Sequence, residues 1–324
     1  MKWGRGSAKP FIDITQLTVD TIKFTLHNSD VTLANALRRI MLSEIPCLAI
    51  EIVTVLENDT PLHDEYIAHR LGLLPIDSTR ISEFEYRDKC SCSDKCSKCT
   101  VDYNLQVTCT EPFRTVTHLD IIPDEYDTPL PLPRSGDGIP IVKIRRDQSI
   151  HLKLTATKGI GKLHAKWVVA NVAYQIEPLF KINSEMMGRT TQQDRATIAS
   201  SCPRGILVSE DDNYGGTIRV TNSLECIYCD SCINTCKDLG FKGLIRIEPD
   251  ETKFHFSVES TGAIAPEKIV EMALGFLEDK IKQLHQSVTE TQSRVLGVSS
   301  TTAIASNIWR GNDQAPPNYA LDLD

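Results

Sequence analysis

Two tight groups of cysteines restrict this fold more than any other feature of the chain. "KCSCSDKCSKC" supplies Cys90, Cys92, Cys96 and Cys99, and "ECIYCDSCINTC" supplies Cys226, Cys229, Cys232 and Cys236. Cys47, Cys109 and Cys202 stand apart, giving an odd total of 11. The N-terminal "MKWGRGSAKPFIDITQ" has no apolar signal-like stretch, and no run approaches the ~20 apolar residues of a membrane span. An intracellular, reducing setting is therefore expected, and with it metal ligation rather than disulfides.

The first group reads C-x-C-x₃-C-x₂-C. Four thiolates this close surround one zinc ion tetrahedrally and leave no position for water or substrate, so the expected ion is structural. The bare complex would carry two negative charges, with Lys89, Lys95 and Lys98 placed to offset them. A nucleic-acid-binding zinc ribbon is the functional rival, weakened by the single loop and its lack of aromatic residues.

The second group has a ferredoxin's spacing, C-x₂-C-x₂-C-x₃-C. The usual proline after the fourth cysteine is missing, since Lys237 follows Cys236, but upstream "SSCPRG" supplies Cys202-Pro203. The economical assignment is one cluster on Cys226, Cys229 and Cys232 with Cys202 as fourth ligand. Cys236 is then left over, so five cysteines compete for four places. A four-iron cluster, a three-iron cluster and a metal-free form with a disulfide all remain open. The rival from another class is a redox or sensor protein. Electron transfer needs a partner centre, however, and no dinucleotide fingerprint, second cluster or haem motif is present. The spacing is expected to staple a small insertion.

With 41% hydrophobic and 24% charged residues the composition is ordinary. The net charge of −8 argues against a surface built for polyanions. Lys143, Arg145 and Arg146 form one short basic cluster, read as a solvated strand end. "FIDITQLTVDTIKFTLHNSD" alternates like two strands with a turn near Asp20. Asp30 then suits an N-cap, Leu33, Leu37, Ile40 and Met41 share a helical face, and Pro46 stops the helix. "CLAIEIVTVLEN" is a further strand, and "KGLIRIEP" and "KFHFSVES" read as a hairpin through Pro249-Asp250. "APEKIVEMALGFLEDKIKQLHQSV" is the longest helix. Val270, Leu277 and Leu284 repeat every seventh residue, as do Leu274, Ile281 and Val288, giving a seam about 35 Å long. "KGIGK" lacks the spacing of a P-loop, and His63 and His69 lack that of a helical zinc protease. No catalytic constellation is found, so the chain is read as a non-enzyme.

Three stretches, "LANALRRIMLSEIPCLAIEIV", "DEYIAHRLGLLPI" and "KGIGKLHAKW", resemble the alpha-like subunits of DNA-directed RNA polymerases. That family includes bacterial alpha, its archaeal counterpart and the third-largest subunit of eukaryotic polymerase II. The loop at Cys90–Cys99 resembles the polymerase II member in particular; the archaeal protein and the counterpart shared by polymerases I and III are the alternatives. The resemblance implies an α+β fold: a discontinuous dimerisation domain (10–60 and 243–290) interrupted by a mainly β insert domain (61–194) with a zinc loop at 90–99. A small ferredoxin-like segment (195–242) and a mobile tail (291–324) complete the expected organisation. The implied dimer face is Leu33, Leu37, Ile40 and Met41 with Val270, Leu274, Leu277, Ile281 and Leu284, pairing with a smaller alpha-like subunit. The second-largest, tenth and twelfth subunits would assemble on that heterodimer in the nucleus. No sequence-specific DNA contact and no membrane contact are implied.

Overall fold

In a computed structural model of the chain, residues 9–212 and 215–296 are described. The N-terminal alternation becomes a hairpin of β1 (Phe11–Leu17) and β2 (Thr21–His27). Asp30 caps α1 (Val31–Ser43), its carboxylate accepting the Leu33 N–H at 2.8 Å. β3 (Pro46–Asn58) follows, then α2 (Asp64–Gly72). The middle of the chain forms β4 (Thr100–Thr108), β5 (Phe113–Thr117), β6 (Ile121–Pro123), β7 (Pro140–Arg145), β8 (Ser149–Ile160) and β9 (Ala170–Ile182). Around the second cysteine group lie α3 (Ser184–Met187), α4 (Gln192–Ser200), β10 (Leu207–Asp212), β11 (Gly215–Val220) and α5 (Ser231–Asp238). The described chain ends with β12 (Ile245–Ser260) and α6 (Pro266–Leu296).

The fold is α+β, and every strand pairing among the described residues is antiparallel. One sheet has the order β1-β2-β12-β9 and a second β3-β8-β4-β6, with two-stranded ribbons β10-β11 and β5-β7. On the first sheet, Phe24, Phe254, Phe256 and Val258 bury against Leu37, Ile40 and Met41 of α1 and Ile269 and Ala273 of α6. Phe24 and Phe256 stack with ring centroids 4.8 Å apart. The second sheet has its own core around Tyr103, Leu105, Leu152 and Leu154, onto which Ile67 and Leu71 of α2 pack. β3 joins the two cores because side chains alternate along a strand. Cys47 and Ala49 enter the first core, Leu48 and Ile50 the second. A third core gathers Met187, Ile198, Ile218, Cys236 and Leu244.

The described residues up to Leu277 belong to one compact unit, and from Glu278 the remainder of α6 belongs to another. Several expectations are corrected. β9, placed by the sequence in the insert, joins the first sheet beside β12, whereas β3 pairs with β8 in the second. The expected hairpin at Pro249-Asp250 is one strand instead. β9 is long enough to pair with both halves of β12, with a register shift between Asp250 and Phe254, so no reversal is needed. The second half of β12 also gains β2 as a neighbour. α6 runs to Leu296, into the stretch expected to be tail; residues 297–324 lie outside the described residues.

The "KGIGKLHAKW" stretch is explained by packing. A Cβ on Gly159 would lie 2.2 Å from the Trp167 ring, and one on Gly161 2.7 Å from the Leu42 carbonyl oxygen. Only glycine lets the indole lie flat on β8, where its Nε1–H donates to the Thr157 carbonyl at 3.2 Å. Lys158 donates to the Ile81 and Phe84 carbonyls at 2.9 and 2.7 Å. Those bonds tie the chain entering the first cysteine group to β8.

Candidate functional site

The first cysteine group sits between the Ile81–Glu83 turn and the start of β4. Its neck is closed by the Glu85 N–H donating to the Lys98 carbonyl at 2.8 Å and by the Thr100 hydroxyl donating to the Cys96 carbonyl at 3.1 Å. All four sulfurs lie within 4.8 Å of one another. Cys90–Cys96, Cys92–Cys99 and Cys96–Cys99 are separated by 3.7, 3.6 and 3.7 Å. A tetrahedral zinc ion with bonds of about 2.3 Å places its sulfurs about 3.8 Å apart, so the arrangement fits one metal ion. The Lys98 backbone N–H pulls the Cys96 thiol down to about 7, while the neighbouring Cys90 and Cys99 sulfurs push Cys92 up to about 12. Sulfurs this close resist ionising together, and a bound dication removes that conflict. Of the lysines expected to offset the charge, Lys95 is engaged elsewhere, 2.7 Å from Asp102, and Lys89 lies over the Tyr86 ring.

Cys202, Cys226, Cys229 and Cys232 of the second group line a small hollow of about 10 Å³ together with Phe180, Ile206, Leu207 and Ile247. Cys202 reaches it from the turn after α4. Cys226 and Cys229 reach it from a loop in which Tyr228 and Asp230 take positive φ (51° and 57°), and Cys232 comes from α5. Burial pushes the Cys232 thiol up to about 11, whereas the Ser231 hydroxyl and N–H lower exposed Cys229. Cys236 is not among the walls; 1% exposed, it packs in the third core. Among the described residues only Cys90, Cys92, Cys96 and Cys99 bring all their ligand atoms within 4.8 Å of one another, so the second group does not form a single-ion cage. β9 clasps this segment. Gln175 Nε2 donates to the Leu224 carbonyl at 2.7 Å, and the Ser223 hydroxyl donates to Glu177 at 3.2 Å.

Glu177 also takes part in an arrangement with the outline of a catalytic triad. It accepts from His255 Nε2 at 2.5 Å, and His255 Nδ1 lies 3.0 Å from the Thr25 hydroxyl. Thr25 is 3% exposed, so substrate has no access to it. Burial alone would raise the Glu177 carboxyl, but the bonds from Lys253 and His255 outweigh it and hold the group below its ordinary value. The cluster holds β9, β12 and β2 together.

The predicted dimer-face residues divide into two sets. Leu37, Ile40 and Met41 are buried against the chain's own sheet and Leu33 is partly buried there, because α1 needs that face to cover the phenylalanines. On α6, Ile269 and Ala273 are fully buried; the heptad reading missed them because each lies one position before a seam residue, Val270 and Leu274, and so falls outside both sevenfold rows. Val270 and Leu277 pack at the margin of that core, and Leu274 is 40% exposed. In the second unit Ile281, Leu284 and Val288 are 60%, 66% and 47% exposed. No helix of the described residues is long and apolar enough to cross a membrane.

The family model described as the RNA polymerase Rpb3/Rpb11 dimerisation domain matches residues 23–281. The chain belongs to this family. The match begins in β2 and ends within α6, so it spans both parts of the first sheet and everything inserted between them. The chain is 37% identical over 290 residues to DNA-directed RNA polymerase II subunit rpb3 of Dictyostelium discoideum, covering 87% of this chain and 96% of that protein. It is 35% identical to the subunit 3 of DNA-directed RNA polymerases II, IV and V of Arabidopsis thaliana, covering 86% and 91%. The polymerases I and III subunit rpac1 of Dictyostelium discoideum matches at 30%, covering 86% and 82%. The chain is thus an alpha-like RNA polymerase subunit, and its dimerisation domain implies a partner subunit within a polymerase assembly.

Proposed function

We propose that this chain is the alpha-like subunit of RNA polymerase II, a non-catalytic scaffold that pairs in the nucleus with a smaller alpha-like subunit. The heterodimer is the platform on which the second-largest, tenth and twelfth subunits assemble. The apolar row of α6 carries this reading. Ile269 and Ala273 already satisfy the helix's need for a core, yet Leu274, Ile281, Leu284 and Val288 stay exposed. A row of aliphatic side chains kept in water at helical spacing is what a partner helix covers. Leu33, Leu37, Ile40 and Met41 of α1 and Val270 and Leu277 of α6, expected on the dimer face, pack in or against the first core.

The Cys90–Cys99 loop favours the polymerase II class over the archaeal and polymerase I and III counterparts. Cys90, Cys92, Cys96 and Cys99 would hold one structural zinc ion, which fixes a loop that has little apolar interior of its own. Cys202, Cys226, Cys229 and Cys232 would hold an iron–sulfur cluster in the second hollow, where it staples α4, α5 and the ribbon between them. The test is co-expression of the full chain with the small alpha-like subunit. A stable complex through size exclusion is expected; a chain that stays monomeric and monodisperse beside that partner at micromolar concentration defeats the scaffold reading.

A further inference from the structure

The ribbon of β5 and β7 lines neither cysteine site, and its outward face carries an exposed aromatic ring among cations. Phe113 stands opposite Arg145 and Thr115 opposite Lys143. These four side chains are exposed, while Val116, Val142 and Ile144 turn into the core. Lys143, Arg145 and the adjoining Arg146 make no ion pair among the described residues, in a chain with a net charge of −8. The fourth cation of the ribbon, Arg114, does have a carboxylate, Asp120 at 2.5 Å. Lys143 instead lies 4.4 Å over the Phe113 ring.

The backbone of the same ribbon is open on one side. β5 pairs with β7 alone. Among the described residues no other hydrogen bond reaches the main chain of Phe113, Arg114, Thr115 or Val116. The far edge of β7 is closed by Arg70, which donates to the Ile141 carbonyl at 3.0 Å and to that of Pro140. Alternate N–H and C=O groups of β5 therefore point outward as a template for a further strand. A segment added there would lie beside Phe113 and Thr115, with Lys143 and Arg145 one strand beyond, about 5 Å further. Those two cations are two residues apart on one strand face, about 7 Å, which is the spacing of alternate side chains in an extended peptide.

We propose that the free edge of β5, with Lys143 and Arg145 on the same face of the neighbouring strand β7, docks an extended acidic segment of a partner protein by strand addition. The main-chain bonds supply affinity, and the unpaired cations select carboxylates at alternate positions. Single-stranded nucleic acid fits less well, because Lys143 occupies the ring face on which a base would stack.

The test uses the full chain purified with its small alpha-like partner. The probe is a fluorescein-labelled peptide of about ten residues alternating Glu and Val, followed by anisotropy. Binding is expected to weaken as salt rises and to fall about tenfold in the Lys143→Gln/Arg145→Gln variant. It should be lost when alternate peptide nitrogens are methylated, a change that leaves the protein untouched. Equal binding of a Lys/Val peptide, tolerance of N-methylation, or an undiminished affinity in a variant with unchanged thermal melting would each overturn the proposal. So would binding of a single-stranded RNA in place of the peptide.

Discussion

Replacing Ile281 and Leu284 together by alanine separates a partner-facing helix from one that serves only its own chain. The two side chains are 60% and 66% exposed, so neither change opens a cavity, and alanine is the best helix former available. Fully burying one such side chain contributes about 1.5–3 kcal/mol. Covering the exposed part of both on a partner, less the Cβ that alanine keeps, amounts to about 2–3 kcal/mol, or roughly 30- to 150-fold in the dissociation constant. The assay is titration of the labelled small partner into wild-type and variant chain, alongside thermal melting of the chain alone. The expected result is weakened pairing with an unchanged melt. Pairing retained within about twofold, or a melt that falls as it would for a core truncation, would show that these residues do not meet a partner.

Cys96→Ser should remove one zinc ion per chain, measured by elemental analysis, and expose the 85–99 loop to protease while the sheet cores persist, because the neck bonds and the exposed Lys95–Asp102 pair are then weak restraints on it. Cys202→Ser should abolish iron incorporation on reconstitution and Cys236→Ser should not, since only the former lines the hollow. Glu177→Gln should cost about 1–3 kcal/mol in urea melts at neutral pH. The carboxyl is held below its ordinary value of 4.5 in the folded chain, so its contribution is complete above that value. It is lost as pH falls through the folded-state value, and the gap between wild type and variant should close on acidification.

Much of the first sheet was readable because local signals agreed with it. Strict alternation set β1 and β2, and the Asp30 cap and Pro46 bounded α1. The cysteine spacing foretold a convergence that the sulfur distances support. What was missed depended on distant partners. β12 remains one strand through Pro249 only because β9 lies beside it, with Pro178 opposite. α2 went unread as a helix because its short sequence "DEYIAHRLG" has weak apolar periodicity and is fixed by Ile67 and Leu71 entering the second core. The direction of α1 was legible as an apolar stripe, but a stripe does not say whether sheet or partner covers it. Here the sheet does.

Native mass spectrometry of the full chain co-expressed with the small alpha-like partner addresses the pairing role without any substitution. One copy of each polypeptide in a single complex is predicted. A monodisperse free chain beside unbound partner at micromolar concentration would contradict it.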